Sequence, residues 1–109
     1  MNYDQYIDID KNIIPYQLEI ELGGEPYQLE INYNRAYDFF TVDLFKDHEP
    51  LVVGEKLRLN RPLFHNVVNI ELPKVRLIPA DRANKAVRIT HENFNDTVFL
   101  YVLEGVSNE

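Results

Sequence analysis

The stretch PYQLEIELGGEPYQLEINYN, residues 15–34, spells PYQLEI twice around the pair Gly23-Gly24. Adjacent glycines take positive φ without the clash a Cβ brings, which a two-residue hairpin turn requires. Folding there sets Leu22 opposite Glu25, Ile20 opposite Tyr27, Leu18 opposite Leu29 and Tyr16 opposite Ile31. Tyr16, Leu18, Ile20, Tyr27, Leu29, Ile31 and Tyr33 then share one face, while Gln17, Glu19, Glu21, Gln28, Glu30 and Asn32 share the other. A period of two in both arms is the pattern of a sheet with one dry face and one wet face. Pro26 falls opposite Glu21 in a pair without ladder bonds, so its missing N–H costs nothing within the hairpin. The repeat has two copies at a period of 11 residues, whereas solenoids repeat units of about 20 residues or more, several times over. The stretch therefore reads as one hairpin.

The rest of the chain continues in strand-sized pieces. Residues 34–36 read as a turn and 37–45 as a third strand, with Phe40, Val42 and Leu44 facing one way and Phe39, Thr41, Asp43 and Phe45 the other. The polar cluster KDHEP (46–50) leads into Leu51, Val52, Val53 and Gly54, the last a bulge or bend. Leu57 and Leu59 alternate with Lys56 and Arg58 in a short strand, and residues 60–69 have no clean period. Further strands are expected at 74–78, 86–90 and 97–103, with turns at 79–81 and 93–96. Segments with helical period are absent, so the sequence predicts an all-β fold, a single small antiparallel β-barrel or sandwich with little helix. A length of 109 residues suits one domain. Its expected bounds are 13–105, with 1–12 as a flexible acidic N-terminal arm and 106–109 as a C-terminal tail.

Charge is unevenly placed. Residues 1–54 hold 11 acids and three bases, whereas residues 55–109 hold seven acids and eight bases, within a net charge of −7. An acidic surface repels phosphate backbones, which argues against nucleic acid as the main partner. The basic stretch from Lys56 to Arg88 suits an acidic protein surface instead, including the acidic half of another copy. There is no cysteine, which removes disulfides and thiolate metal sites. The N-terminus lacks the apolar run of a secretory signal, and VFLYVL (98–103) is far too short to span a membrane. Synthesis and use without export are the expectation.

Candidate chemistry is sparse. Asp8, Asp10, Asn12 and Glu19 stand at calcium-loop spacing, but Ile13 occupies the position where such a loop needs glycine, and Glu19 belongs to a strand. His48, His65 and His91 are far apart and lack second ligands at metal spacing. The single serine, Ser107, is in the tail, and no base accompanies a nucleophile at a known spacing. The reading is therefore of a protein that is not an enzyme, with no catalytic, metal or cofactor residues and no cofactor. Aromatics at 37–40 point to both faces of their strand, and a face the chain does not cover itself is a surface for another protein. Tyr37, Phe39, Arg58, Arg61, Phe64 and Arg76 are the candidate partner contacts, with Gly23, Gly24 and Gly54 as structural turn residues. A non-enzymatic glycan- or peptide-binding domain using the aromatic strand 37–45 is the alternative.

The order of segments adds a further signal. IIPYQLEIELGGEPYQLEINYN (13–34) is followed by FFTVDLF (39–45), a polar turn, LVVG (51–54), LRL (57–59) with PL (62–63), and a closing DTVFLYV (96–102). In that order, across residues 13–104, the chain resembles the phage baseplate plug family, small proteins of contractile-tail baseplates. The resemblance implies a structural virion component at the axial end of a tail, where it helps close the channel. Its implied partners are tail hub, tube-end and spike proteins, with the chain a homo-oligomer in the assembly and no membrane involved. It implies no catalytic residues.

Overall fold

The computed structural model describes residues 5–69 and 71–103. Seven strands follow in order: β1 (Gln5–Ile7), β2 (Tyr16–Leu22), β3 (Glu25–Asn34), β4 (Phe39–Lys46), β5 (Glu49–Lys56), β6 (Arg76–Asp81) and β7 (Val98–Leu103), with one short 3-10 turn, Lys11–Ile13. They form two antiparallel sheets, a four-stranded meander β2-β3-β4-β5 and a three-stranded sheet β1-β7-β6. The expected all-β class is the observed one.

The hairpin pairs in the expected register, from Tyr16 opposite Ile31 to Leu22 opposite Glu25. Gly23 and Gly24 both have positive φ, 61° and 84°. A Cβ on Gly23 would lie 3.4 Å from the Lys74 backbone nitrogen, whereas one on Gly24 would meet open space. Both positions leave room for a side chain, so the turn needs its glycines for conformation rather than for space. The Tyr27 hydroxyl donates to the Glu71 carbonyl at 2.8 Å, fixing the same crossing segment to the hairpin. Gly54, at φ 78°, lies where the β4–β5 register shifts, and its amide donates to Asp43 Oδ1 at 2.7 Å. An extra residue in one strand with glycine at positive φ is a β-bulge.

One core lies between the sheets. Leu22, Tyr27, Leu29, Ile31, Phe40, Val42 and Leu44 face it from the larger sheet, and Ile7, Leu77, Val98 and Leu100 from the smaller. The architecture is a sandwich, since among the described residues no ladder joins the two sheets into a barrel. The smaller sheet is apolar on its outer face too, where Ile78, Ala80, Tyr101 and Leu103 are buried and Tyr6 packs on Phe99 with ring centroids 4.4 Å apart. This explains why VFLYVL is a continuous apolar run rather than an alternating one.

Several boundaries differ from expectation. Residues 5–12 do not stand apart as an arm: Gln5–Ile7 pair with β7, and Ile7 and Ile9 are core residues. Residues 1–4 and the expected tail 106–109 lie outside the described residues. The turn expected at 79–81 is strand, because Asp81 caps the chain one step later, its carboxylate accepting the amides of Ala83, Lys85 and Ala86 at 2.8–3.0 Å. Pro79 is tolerated inside β6 because β6 is an edge strand and the Pro79 carbonyl points outward, accepting from the Asn60 amide at 2.7 Å. Residues 86–90 are not a strand, since amides there and just beyond donate to side chains: Ala86 to Asp81, Thr90 to Asn93 and His91 to Asp38. Residues 57–59 leave the strand as well, with Leu57 buried from a loop.

That loop sets the shape of the sandwich. The Leu57 amide donates to Phe40 O (3.0 Å) in the larger sheet, and the Asn60 and Leu63 amides donate to Pro79 O and Leu77 O (2.7 and 2.8 Å) on the outer edge of β6. The seam between β5 and β6 is thereby closed by main-chain hydrogen bonds. The opposite seam, between β1 and β2, is a groove lined by Gln5, Tyr6, Ile7, Ile20, Glu21, Leu22 and Val102.

Candidate functional site

The closed seam carries the site. Phe39, at the start of β4, and Lys56, at the end of β5, sit on the outer face of the larger sheet, with the Lys56 ammonium 4.5 Å from the Phe39 ring centroid. A cation over an aromatic face is an attractive contact, and it also holds the lysine stem down on the ring. Around this pair a cleft of about 310 Å³ is lined further by Tyr37, Arg58, Arg61, Val87 and Arg88. Tyr37 and Val87 project from its rim, 76% and 93% exposed. Among the described residues no carboxylate lines this cleft, while Glu55 lines the adjoining one that Lys56, Arg58 and Arg61 also border. Among the described residues neither the Arg58 nor the Arg61 guanidinium has a side-chain partner.

Two turns position this rim, and one aspartate joins them. Asp38 adopts a left-handed φ of 58° in the β3–β4 connection, a conformation that aspartate tolerates better than most residues. Its Oδ1 accepts the Tyr33 hydroxyl at 2.7 Å and the His91 amide at 2.8 Å, and its Oδ2 accepts from Arg88 at 3.1 Å. Arg88 also donates to the Asp38 carbonyl at 3.0 Å. The Tyr33 hydroxyl, the His91 amide and the Arg88 charge together hold the Asp38 carboxyl below the ordinary carboxylate range. The same bond pushes Tyr33 up, because ionising the phenol would lose the hydrogen bond and set two negative charges together. Behind it, His91 packs against Tyr33 and Phe40, with centroids 5.0 and 6.0 Å away.

Of the six residues singled out in the sequence, Tyr37, Phe39, Arg58 and Arg61 meet at this cleft. Phe64 does not: it is 6% exposed in the core, its amide donating to Glu55 Oε2 at 2.9 Å, so its ring is not available to a partner. Arg76 opens β6 opposite Leu103 and does not line the cleft. Val87 is not among the contacts expected from the sequence, and Arg88 enters there only as the end of a basic stretch, because residues 86–90 read as a strand and the contact with Asp38 spans 50 residues. His48, His65 and His91 stand in separate loops, and among the described residues no three His, Asp or Glu gather at metal-binding distance. No helix among the described residues is long and apolar enough to cross a membrane.

The arrangement suits binding. Cations without partners, a half-buried aromatic and projecting apolar side chains fit a surface that offers carboxylates and a hydrophobic recess. A family model described as "Cyanophage baseplate Pam3 plug gp18" matches residues 5–105 of the chain. No curated protein matches it.

Proposed function

The chain belongs to the phage baseplate plug family, and from that premise we propose that it sits at the axial end of a phage tail, packed on hub and tube-end proteins. Membership makes it a structural component of the baseplate and gives it a virion tail location. The family match over residues 5–105 is the observation that carries the reading. The sandwich is consistent with it: a small body that carries a basic, aromatic-rimmed cleft. The family match points to a non-enzymatic role, in which the chain occupies space and makes contacts rather than bonds. Its net charge of −7 limits adhesion to DNA passing nearby.

A cryo-electron microscopy map of tails carrying the chain tests the proposal. Density for the sandwich on the tail axis, against hub and tube-end subunits, is the expected result. Tails in which the chain is missing, or lies on the baseplate periphery, would overturn it.

A further inference from the structure

The fold treats the two edges of the larger sheet differently. The β5 side is tied to β6 through the main-chain hydrogen bonds of Leu57, Asn60 and Leu63. At the other edge β2 has β3 as its only ladder neighbour among the described residues. In an antiparallel hairpin, pairs that exchange hydrogen bonds alternate with pairs that do not. Tyr16, Leu18, Ile20 and Leu22 therefore bond to β3, and the N–H and C=O groups of Gln17, Glu19 and Glu21 point away from it. No backbone group among the described residues meets them. The dry face is incomplete at the same edge. Tyr27, Leu29 and Ile31 of β3 are buried, whereas their partners Ile20, Leu18 and Tyr16 are half-buried. Beside them lies the β1/β2 groove, about 370 Å³, with a mixed lining that includes Tyr6, Ile20, Leu22 and Val102 together with Gln5 and Glu21. The wet face is of one sign: residues 16–34 hold Glu19, Glu21, Glu25 and Glu30 and no lysine or arginine. Lys46 pairs with Glu25 at the turn end of the hairpin, so the charge along the edge itself is that of Glu19 and Glu21, both exposed.

We infer that the β2 edge takes up an extended segment of another protein in which basic and aliphatic residues alternate. Main-chain hydrogen bonds to Gln17, Glu19 and Glu21 supply the attachment, as in strand addition to a sheet edge generally. Incoming residues opposite those three share their face, where lysine or arginine meets Glu19 and Glu21. The residues between them turn to the other face, where aliphatic side chains cover Leu18 and Ile20 and enter the seam. A second copy of this chain is the wrong occupant. Laying β2 antiparallel on another β2 about Glu19 sets Glu19 against Glu19, and like charges directly opposite are destabilising. The same glutamates thus guard against edge-to-edge self-pairing and select a partner of opposite sign. This inference rests on the reading of the chain as a contact-making component of an assembly, and it is tested on the purified chain. Its failure therefore leaves the position of the chain in tails to be decided by the map.

The probe is a synthetic peptide as long as β2, acetyl-Lys-Val-Lys-Ile-Lys-Val-Lys-amide, titrated into the isotope-labelled full chain. Amide hydrogen exchange read by NMR is expected to slow at Gln17, Glu19 and Glu21, which exchange fast without the peptide. Leu18 and Ile20 exchange slowly throughout, because β3 already holds their amides. A peptide of the same composition, with its lysines and aliphatic residues in separate blocks, keeps the charge but not the alternation and leaves the three amides unprotected. Glu19→Lys/Glu21→Lys weakens binding of the lysine peptide roughly tenfold, since two cross-strand pairs turn from attractive to repulsive. The same variant takes up acetyl-Glu-Val-Glu-Ile-Glu-Val-Glu-amide in its place, with protection at the same three positions. A lysine peptide that fails to bind, or binds without protecting these amides, overturns the inference. So does equal protection by the block peptide, or protection that arises without any peptide as the chain self-associates.

Discussion

Asp38 is the residue on which the rim of the cleft depends. Hydrogen bonds to a buried charged acceptor contribute roughly 1.5–3 kcal/mol each, and less where solvent screens them. With the Asp38 side chain 34% exposed, Asp38→Asn is expected to cost about 1–2 kcal/mol at neutral pH, read as a lowered urea midpoint. The sign with pH is definite. Asp38 and Asp81 both have folded pKa values below the ordinary 3.8, so their stabilisation is complete above that value and is lost as pH falls through the folded values. The gap between wild type and Asp38→Asn should accordingly close in acid; a gap unchanged by acid would refute the account. Tyr33 works in the opposite direction. Its pKa is raised above 10.0, so its contribution is complete below that value and is lost as pH rises through the folded value. None of this was legible in the sequence. An aspartate between a tyrosine and a phenylalanine looks like any turn residue, and its partners Arg88 and His91 are 50 and 53 residues away. The two glycines of the hairpin lie at the other extreme, where local backbone chemistry decides and the sequence speaks plainly.

At the scale of elements, the β2–β3 hairpin is the most legible unit and β6 the least. The hairpin is specified by local information alone: period-two alternation, a glycine pair and prolines placed where no ladder bond is missed. Gly23→Ala and Gly24→Ala test its conformational requirement. Both substitutions force a Cβ into positive φ, at about 1–2 kcal/mol each. The Cβ at Gly23 would make only ordinary contact with Lys74, at 3.4 Å, and its φ of 61° lies in the left-handed region that side chains can enter, whereas the 84° of Gly24 lies beyond it. Thermal melts should therefore show both variants below wild type with Gly24→Ala the lower, and a reversed order would mean that contact with residue 74, not backbone conformation, limits the turn. The β6 region was misread because its determinants are not local. Pro79 looks like a turn residue until the edge position of its strand is known, and the amides near residues 86–91 look available for a ladder until Asp81, Asn93 and Asp38 are seen to accept them. Phe94 is fully buried against Phe40 at 4.6 Å, yet it sits in a segment with no strand period at all.

For the whole molecule, the decisive question is where the folded unit begins, and the answer lies upstream of the hairpin that dominates the sequence. The stretch MNYDQYIDID reads as an acidic arm because its charges interrupt its apolar residues. In the fold the same alternation sends Ile7 and Ile9 inward, 3% and 1% exposed, while Asp8 and Asp10 remain at the surface. Three residues of β1 also pair with β7, which would otherwise lose its partner on that side. Truncating one buried isoleucine to alanine costs roughly 2–5 kcal/mol, and total domain stability is about 5–15 kcal/mol. Deleting residues 1–9 removes two such side chains together with a ladder, so the loss is of the order of the whole. A chain starting at residue 10 is thus expected to lack a cooperative thermal transition and the dispersed amide spectrum of a β-sandwich. A synthetic peptide of residues 1–12 added in trans should restore both, because the vacated seam between β7 and β2 presents a strand edge and an apolar recess shaped for it. Restoration separates loss of core from general misfolding. A truncated chain that melts cooperatively at the wild-type temperature would instead make β1 an accessory, and the open groove at Ile20 and Val102 would then be wider than the structure shows.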